Sequence, residues 1–375
     1  MKIKAAILNE MGLERPYWQS KPLSVEEIEL DPPAKDEVLV KIHAAGLCHS
    51  DLSVIDGNRP RPLPMVLGHE ASGEVVECGD TVNDLQKGDH VVFYFLPSCG
   101  NCIPCKTGRP ALCEPGAQAN AEGLLLSGES RLRSRKGHLL SHHMGVSAFA
   151  EYAVVSAKSI VKVPGDLPYQ ISALFGCAVI TGVGAIINTA KLRTGQSVLI
   201  TGLGGVGFAA LLGAIAGGAS NIIAADVNAQ KRDMALSLGA NAVINPSNEN
   251  AVEELKDMTH GGVDISGEFA GVIPALEFAY NCTRRGGITV TAALPHPSRE
   301  IRISPARLVG EERSLLGSYL GSSIPSRDIP AYIRLYQNGR LPVDKLLTHT
   351  LKLEQINEGF ERLANGEAIR QVVVL

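Results

Sequence analysis

With 375 residues, the chain is too long for one ordinary core and reads as at least two domains. Hydrophobic residues make up 45% and charged residues 20%, the balance of a folded globular protein. A net charge of −4 lacks the basic footprint of a nucleic-acid or anionic-membrane binder, so a weakly acidic enzyme of small molecules fits best.

The chain opens on the strand-like alternation Met1-Lys2-Ile3-Lys4-Ala5-Ala6-Ile7. It has no long apolar core of a secretory signal there, which predicts a cytoplasmic protein. The first third reads as β. Residues 37–43 alternate, with Val38, Val40 and Ile42 on one face, and 71–78 and 89–95 are further short strands. Frequent turn signals between them, such as Asp56-Gly57 and Lys87-Gly88-Asp89, suggest a barrel or sandwich. Residues 114–145, glycine-punctuated and carrying Arg131, Arg133, Arg135 and Lys136, are expected to form a surface excursion.

The pattern changes near Gly176. A short apolar run at 198–201 leads into a glycine cluster and an alanine-rich helix ending at Gly217. A strand at 221–226, a helix at 228–238 stopped by Gly239, and a strand at 242–244 follow. Alternating strand and helix predicts a parallel, doubly wound sheet. Helices at 328–338 and 353–365 and a closing strand at 371–375 complete the chain. Residues 171–190 and 194–220 carry no charge. Glycines, serines and threonines interrupt both, so they read as buried strand and helix and no membrane is expected as a partner.

Cys99, Cys102, Cys105 and Cys113 form a cluster whose two-residue gaps let successive thiolates converge on one ion. Four sulfurs fill a tetrahedral zinc and leave no open position, so the predicted role is structural; an iron–sulfur or redox cluster is the alternative. Cys48, His69 and Cys177 each lie near a turn or in an apolar run, and alone each reads as a packed residue. Together, two cysteines and a histidine would leave a fourth zinc position open for Lewis-acid work on an alcohol oxygen. Gly202, Gly204, Gly205, Val206 and Gly207 follow a strand and open a helix, the setting in which glycines let backbone approach a pyrophosphate. Asp226 ends the next strand, where its carboxylate suits ribose hydroxyls and repels a 2′-phosphate. That favours NAD over NADP; Arg232 reads as helix surface.

The run Gly68-His69-Glu70, then Gly73, Gly79 and Val82 at fixed spacing, resembles the signature of the zinc-containing medium-chain alcohol dehydrogenases. The four-cysteine spacing is similar too, and the likeness runs over essentially the whole chain. It implies a GroES-like β-barrel catalytic domain over 1–178 and 319–375, with a zinc lobe at about 96–116. A Rossmann domain would cover 179–318. It implies two zincs per chain, with Cys48, His69 and Cys177 holding the catalytic one. Glu70 would sit behind the metal and Asp51 would hydrogen-bond His69. Ser50 would take the alcohol proton; the histidine common three residues on is Ser53 here, which points the proton toward His49 or water. His49, Lys231, Thr181 and Arg370 match cofactor contacts, and Phe95, His143, Met144, Leu294 and Tyr319 match the substrate pocket. Arg59 and Arg61 fall at the pocket mouth, either as solvated surface or as an attraction for an anionic substrate.

The implied reaction is hydride transfer between a primary or aromatic alcohol and NAD, giving the aldehyde, in a homodimer or homotetramer. The alternatives are a thiol-dependent formaldehyde dehydrogenase acting on an S-hydroxymethyl adduct and a non-catalytic zinc-lobed binding protein.

Overall fold

The computed structural model describes residues 1–375. The chain forms two compact units. One comprises Met1–Cys177, Ile324–Pro330 and Leu347–Leu375; the other comprises Ala178–Ser323 and Ala331–Leu346. The return to the first unit therefore differs from the expected single crossing at 319. Ala331–Leu346 stays with the second unit, where Tyr332, Ile333, Leu341, Val343 and Leu346 are buried and the Asn188 amide reaches the Tyr332 hydroxyl at 3.4 Å.

The first unit is β-rich. Strands Lys2–Leu8, Leu23–Leu30, Leu132–Arg133, Leu139–His142 and Met65–Val66 close a barrel. A seven-stranded sheet runs beside it, centred on Glu37–Gly46, which pairs with Ala71–Cys78, Tyr152–Ser156 and Arg370–Val374. With a period of two, this strand sends apolar side chains into two cores. Val38, Val40 and Ile42 enter one core, with Phe93, Phe149 and Phe360, and Leu39 enters the other. Lys2–Leu8 divides the same way, with Ala6 and Leu8 in the first core and Ile3, Ala5 and Ile7 in the second. Each fully buried valine, leucine or isoleucine among them contributes about 1.5–3 kcal/mol.

The segment expected as a surface excursion is instead part of this architecture. Residues 114–145 supply the helix Glu114–Glu122 and the antiparallel pair Leu132–Arg133 and Leu139–His142 that closes the barrel. Leu125, Leu132 and Leu140 are buried in the second core. Two of the four basic residues that suggested exposure are tied down, while Arg135 and Lys136 are exposed. The Arg131 guanidinium meets the buried Glu37 carboxylate at 2.8 Å, and Arg133 meets Asp31 at 2.8 Å. Glu37 also accepts from the Ala34 backbone N–H and the Ser127 hydroxyl. Burial opposes its charge, but these donors outweigh it and hold its carboxyl below the usual range.

The second unit carries a six-stranded, all-parallel sheet. The strand order is Ala242–Ile244, Asn221–Ala225, Ser197–Thr201, Val263–Glu268, Thr283–Thr291 and Ser314–Gly317. The chain reverses direction across the sheet between Ser197–Thr201 and Val263–Glu268, so a ligand crevice is expected at their carboxyl ends. The uncharged sequence stretches are core. The helical run Tyr169–Thr189 is long and apolar enough to cross a membrane, yet 83% of its most apolar window is buried in the protein.

The Arg131 backbone N–H donates to His142 Nε2, and burial pushes this imidazole down to about 3. The folded state resists a proton that the unfolded chain binds near pH 6.5, so this stability is complete above that pH and drains as pH falls toward 3. The expected slope is about 1.4 kcal/mol per pH unit for one such group. Denaturant midpoints between pH 6.5 and 4.5 should fall less steeply in His142→Gln, which keeps an acceptor for Arg131; an unchanged slope would count against this account.

Candidate active site

Three segments of the first unit bring Cys48, His69 and Cys177 together. Cys48 leaves the strand Glu37–Gly46 and caps the short helix His49–Ile55. His69 follows Gly68, whose φ of 93° and close approach to the Phe149 backbone nitrogen exclude a side chain. Cys177 lies in a π-helical turn, Phe175–Val179, inside the helical run that starts at Tyr169. The neighbouring Gly176 packs so closely that a Cβ would stand 1.9 Å from the Phe93 carbonyl oxygen. The Cys48 and Cys177 sulfurs are 4.0 Å apart, and Cys177 Sγ is 3.5 Å from His69 Nε2. Tetrahedral zinc bonds of about 2.3 Å to sulfur and 2.0–2.1 Å to nitrogen imply separations of roughly 3.8 and 3.6 Å. The donor set fits a zinc ion, and all three residues are buried.

Charge is concentrated behind these ligands. Asp51 Oδ2 lies 3.1 Å from His69 Nδ1, and its Oδ1 accepts the Gly68 backbone N–H at 3.0 Å. Burial disfavours a charged His69, but Asp51 and Cys48 outweigh it and raise its pKa well above the usual value. The contact between the two thiols lowers Cys48 and raises Cys177. Glu70 is wholly buried against the Arg370 guanidinium; burial pushes it up to about 7 against the pull of that arginine. Gly46 makes room for this pair, since a Cβ there would meet Glu70 Oε1 at 2.6 Å. Sequence reasoning missed Gly46 and Gly176 as site residues, because nothing local distinguishes them from turn glycines.

Cys99, Cys102, Cys105 and Cys113 converge on a second point, with all four sulfurs within 4.8 Å of one another. Backbone N–H groups of Asn101 and Cys102 point at Cys99 Sγ, lowering that thiol to about 7, and those of Cys99 and Gly116 point at Cys113 Sγ. Burial pushes Cys105 up to about 12. Such N–H···S bonds favour thiolates, as a four-sulfur metal site requires. Gly116 again permits the packing, since its Cβ would lie 2.1 Å from the Pro97 carbonyl oxygen.

In the second unit, Gly202 closes the strand Ser197–Thr201 with φ 90°, and a Cβ there would strike the Ala270 backbone nitrogen at 2.5 Å. Gly207 packs its helix onto that turn, its Cβ position lying 1.8 Å from the Gly202 carbonyl oxygen. Gly204 differs, because nothing in the protein lies within 4 Å of its Cβ position. This openness is what close approach of a pyrophosphate to the N-terminus of Gly205–Ala216 needs. The Asp226 carboxylate accepts the Leu203 and Asn228 backbone N–H groups at 2.7 and 2.8 Å, which fixes it at the strand end. Arg232 is more than helix surface. Its guanidinium donates to the Asp226 and Val227 carbonyls, at 2.7 and 3.1 Å.

The other candidate residues fall as follows. Ser50 and the exposed His49 start the helix His49–Ile55, and the Ser53 hydroxyl donates back to the His49 carbonyl at 2.7 Å. Phe95 stands edge-on to His69, with ring centroids 5.7 Å apart. His143 and Met144 are buried in the first unit, His143 beside Asp51. Thr181, Lys231, Leu294 and Tyr319 belong to the second unit, where Leu294 is exposed. Arg370 is in the first.

A buried Cys/His triad beside a barrel, a four-cysteine lobe and a glycine-loop parallel sheet define a zinc-type, dinucleotide-dependent dehydrogenase. Residues 34–165 match the alcohol dehydrogenase GroES-like domain, and residues 205–338 match the zinc-binding dehydrogenase domain. The chain is 37% identical to the S-(hydroxymethyl)glutathione dehydrogenase of Paracoccus denitrificans, with all of both chains covered. It is 36% identical to alcohol dehydrogenase class-P of Arabidopsis thaliana, covering all of this chain and 98% of that one. The crystal structure of benzyl alcohol dehydrogenase from Acinetobacter calcoaceticus superposes with a TM-score of 0.93 at 33% identity, covering all of this chain and 99% of that one. The chain belongs to the zinc-containing medium-chain alcohol dehydrogenase family and is an oxidoreductase of that type.

The glycine geometry separates two kinds of damage. Gly204→Ala should leave unfolding within about 0.5 kcal/mol of wild type, as a substitution touching nothing does, while weakening dinucleotide binding at least tenfold. Gly207→Ala should instead lower stability by about 2 kcal/mol or more through the backbone clash. Calorimetric titration with dinucleotide and denaturant melts distinguish them; equal stability loss in both variants would contradict this division.

Proposed function

We propose that this enzyme oxidises a primary or aromatic alcohol to the aldehyde with NAD. Cys48, His69 and Cys177 would hold a catalytic zinc, and Cys99, Cys102, Cys105 and Cys113 a structural one. The observation that carries this reading is the number of ligands. Three protein donors converge at the first site, against four at the second, and an open position is the mark of a catalytic zinc. When bound, the zinc supplies Lewis acidity toward the alcohol oxygen, and the nicotinamide accepts hydride. The chain's own residues do the rest. Asp51 orients His69, Glu70 is held by Arg370 behind the ligands, and Phe95 gives the site an apolar wall beside His69. Ser50 would take the alcohol proton. NAD is favoured over NADP because Asp226 places a carboxylate at the strand end, where it suits ribose hydroxyls and repels a 2′-phosphate. The reading carries with it a cytoplasmic homo-oligomer, whose size light scattering would measure.

A second substrate reading draws on one specific feature. Arg61 is half-buried, has no side-chain partner, and its positive charge reaches His143. A free guanidinium there suits a carboxylate-bearing substrate such as a thiol adduct of formaldehyde, the substrate type named for the Paracoccus relative. NAD reduction across alcohols, with and without low-molecular-weight thiols, separates the two. Salt-sensitive turnover lost in Arg61→Ala supports the thiol adduct, and thiol-independent turnover of neutral aromatic alcohols rules it out.

Metal analysis should find two zincs per chain. Cys48→Ser should lose one zinc and reduce kcat/KM about 1000-fold or more with the fold retained. Cys105→Ser should lose the other and lower the thermal midpoint. One zinc in the wild-type protein would refute the two-site reading.

The Ser53 hydroxyl is committed to the His49 carbonyl, which leaves His49 or water as the proton exit from Ser50. His49→Ala should slow proton release more than hydride transfer, so the pH–rate profile shifts and the primary deuterium isotope effect falls. An unchanged profile would remove His49 from the route.

A further inference from the structure

His143 is fully buried, and its Nε2 lies 3.4 Å from Asp51 Oδ1. Its ring stands edge-on to His69, centroids 5.5 Å apart at 75°. Neither ring nitrogen makes a hydrogen bond in the resting geometry, and Nε2 stands at ion-pair distance from Asp51 Oδ1. A buried imidazole must carry at least one N–H, and leaving it unpaired is costly. Asp51 Oδ1, at 3.4 Å, is a carboxylate oxygen within reach of such an N–H.

The backbone around His143 is built to hold the ring there. Its N–H donates to the Ser147 hydroxyl at 2.9 Å, and that hydroxyl donates to the Val66 carbonyl at 2.8 Å. The Ser147 N–H returns to the His143 carbonyl. Met144 and Ser147 both adopt left-handed φ values, 52° and 54°, a conformation that costs energy for residues with side chains. Val66 pairs with His142 across the parallel strands Met65–Val66 and Leu139–His142, so the turn is locked onto the segment leading to Gly68 and His69.

We infer that His143 is a positioning residue for His69: its Nε2–H donates to Asp51 Oδ1, fixing the carboxylate whose other oxygen holds His69 Nδ1–H and thereby aims His69 Nε2 at Cys48 and Cys177. Asp51 then has three anchors, which are His143, the Gly68 N–H and His69. A residue that merely filled space would be apolar, because phenylalanine occupies nearly the same volume and brings no polar atom beside a buried carboxylate. The inference rests on reading Cys48, His69 and Cys177 as the zinc set.

The test is zinc release from the holoenzyme to a chelator, in wild type, His143→Phe and His143→Gln. In His143→Phe, one of the two zincs should leave about 10–100-fold faster, the usual effect of losing a partner behind a metal ligand. Release of the four-cysteine zinc should stay at the wild-type rate and report an intact fold. His143→Gln restores an N–H donor and should return release to within about threefold of wild type, a recovery that a purely packing role does not produce. Equal release from wild type and His143→Phe, or identical behaviour of the two variants, overturns the inference. A single zinc in the wild-type protein overturns the ligand reading and this inference with it. Should His143→Phe fail to fold, nitrogen-15 histidine labelling of the wild-type holoenzyme reads the tautomer directly: an Nε2–H on His143 is expected, and an Nδ1–H overturns the inference.

Discussion

The Cys48, His69 and Cys177 cluster depends on backbone approaches too close for any side chain. Gly176 lets the helical run from Tyr169 lie against the Phe93 carbonyl, Gly68 lets the loop before His69 touch Phe149, and Gly46 admits the Glu70 and Arg370 pair. A methyl group at Gly176 or Gly68 would push a ligand-bearing segment away from the others, and one at Gly46 would displace the Glu70 and Arg370 side chains. Metal sites tolerate little of that, since ligand distances hold to about 0.2 Å. The barrel and sheet supply rigidity, and the glycines turn that rigidity into convergence of three segments distant in sequence.

Burial then sets the electrostatics. Cys48, Cys177, Asp51 and Glu70 are all removed from water, with Arg370 as their buried cation. The contact with Cys48 and burial raise Cys177, and burial pushes Glu70 up to about 7. A divalent cation held by Cys48, His69 and Cys177 would favour the thiolate forms there. Glu70 illustrates the balance. Burial and Cys48 work against its charge while Arg370 works for it, which leaves its protonation sensitive to whatever charge stands beside Cys48.

What was legible in the sequence follows from how far apart the cooperating residues lie. The glycine loop and the four-cysteine lobe are contiguous, so spacing alone expressed their chemistry. The alternating strand 37–43 was equally plain, because Val38, Val40 and Ile42 enter the core on one face while Glu37, Lys41 and His43 interrupt the other. Cys177 was not legible from its surroundings. It sits in an uncharged run typical of core, and only the family likeness joined it to Cys48 and His69. The closing strands Leu132–Arg133 and Leu139–His142 were read as surface for a physical reason as well. They are two and four residues long, too short for periodicity to register, and their arginines mimic exposure while pairing with Glu37 and Asp31. His143 was assigned to the substrate pocket by position, and its approach to Asp51 became visible only in three dimensions.

The π-helical turn at Cys177 links fold to chemistry in one more step. A π turn inserts an extra residue relative to the α pattern and rotates everything after it around the helix. In the run from Tyr169, α geometry holds through Leu174 and changes over Phe175–Val179, the segment containing both Gly176 and Cys177. The uncharged composition serves the burial of the helix, but the change of pitch serves the thiol. It lets Gly176 press against Phe93 while its neighbour turns toward Cys48 and His69.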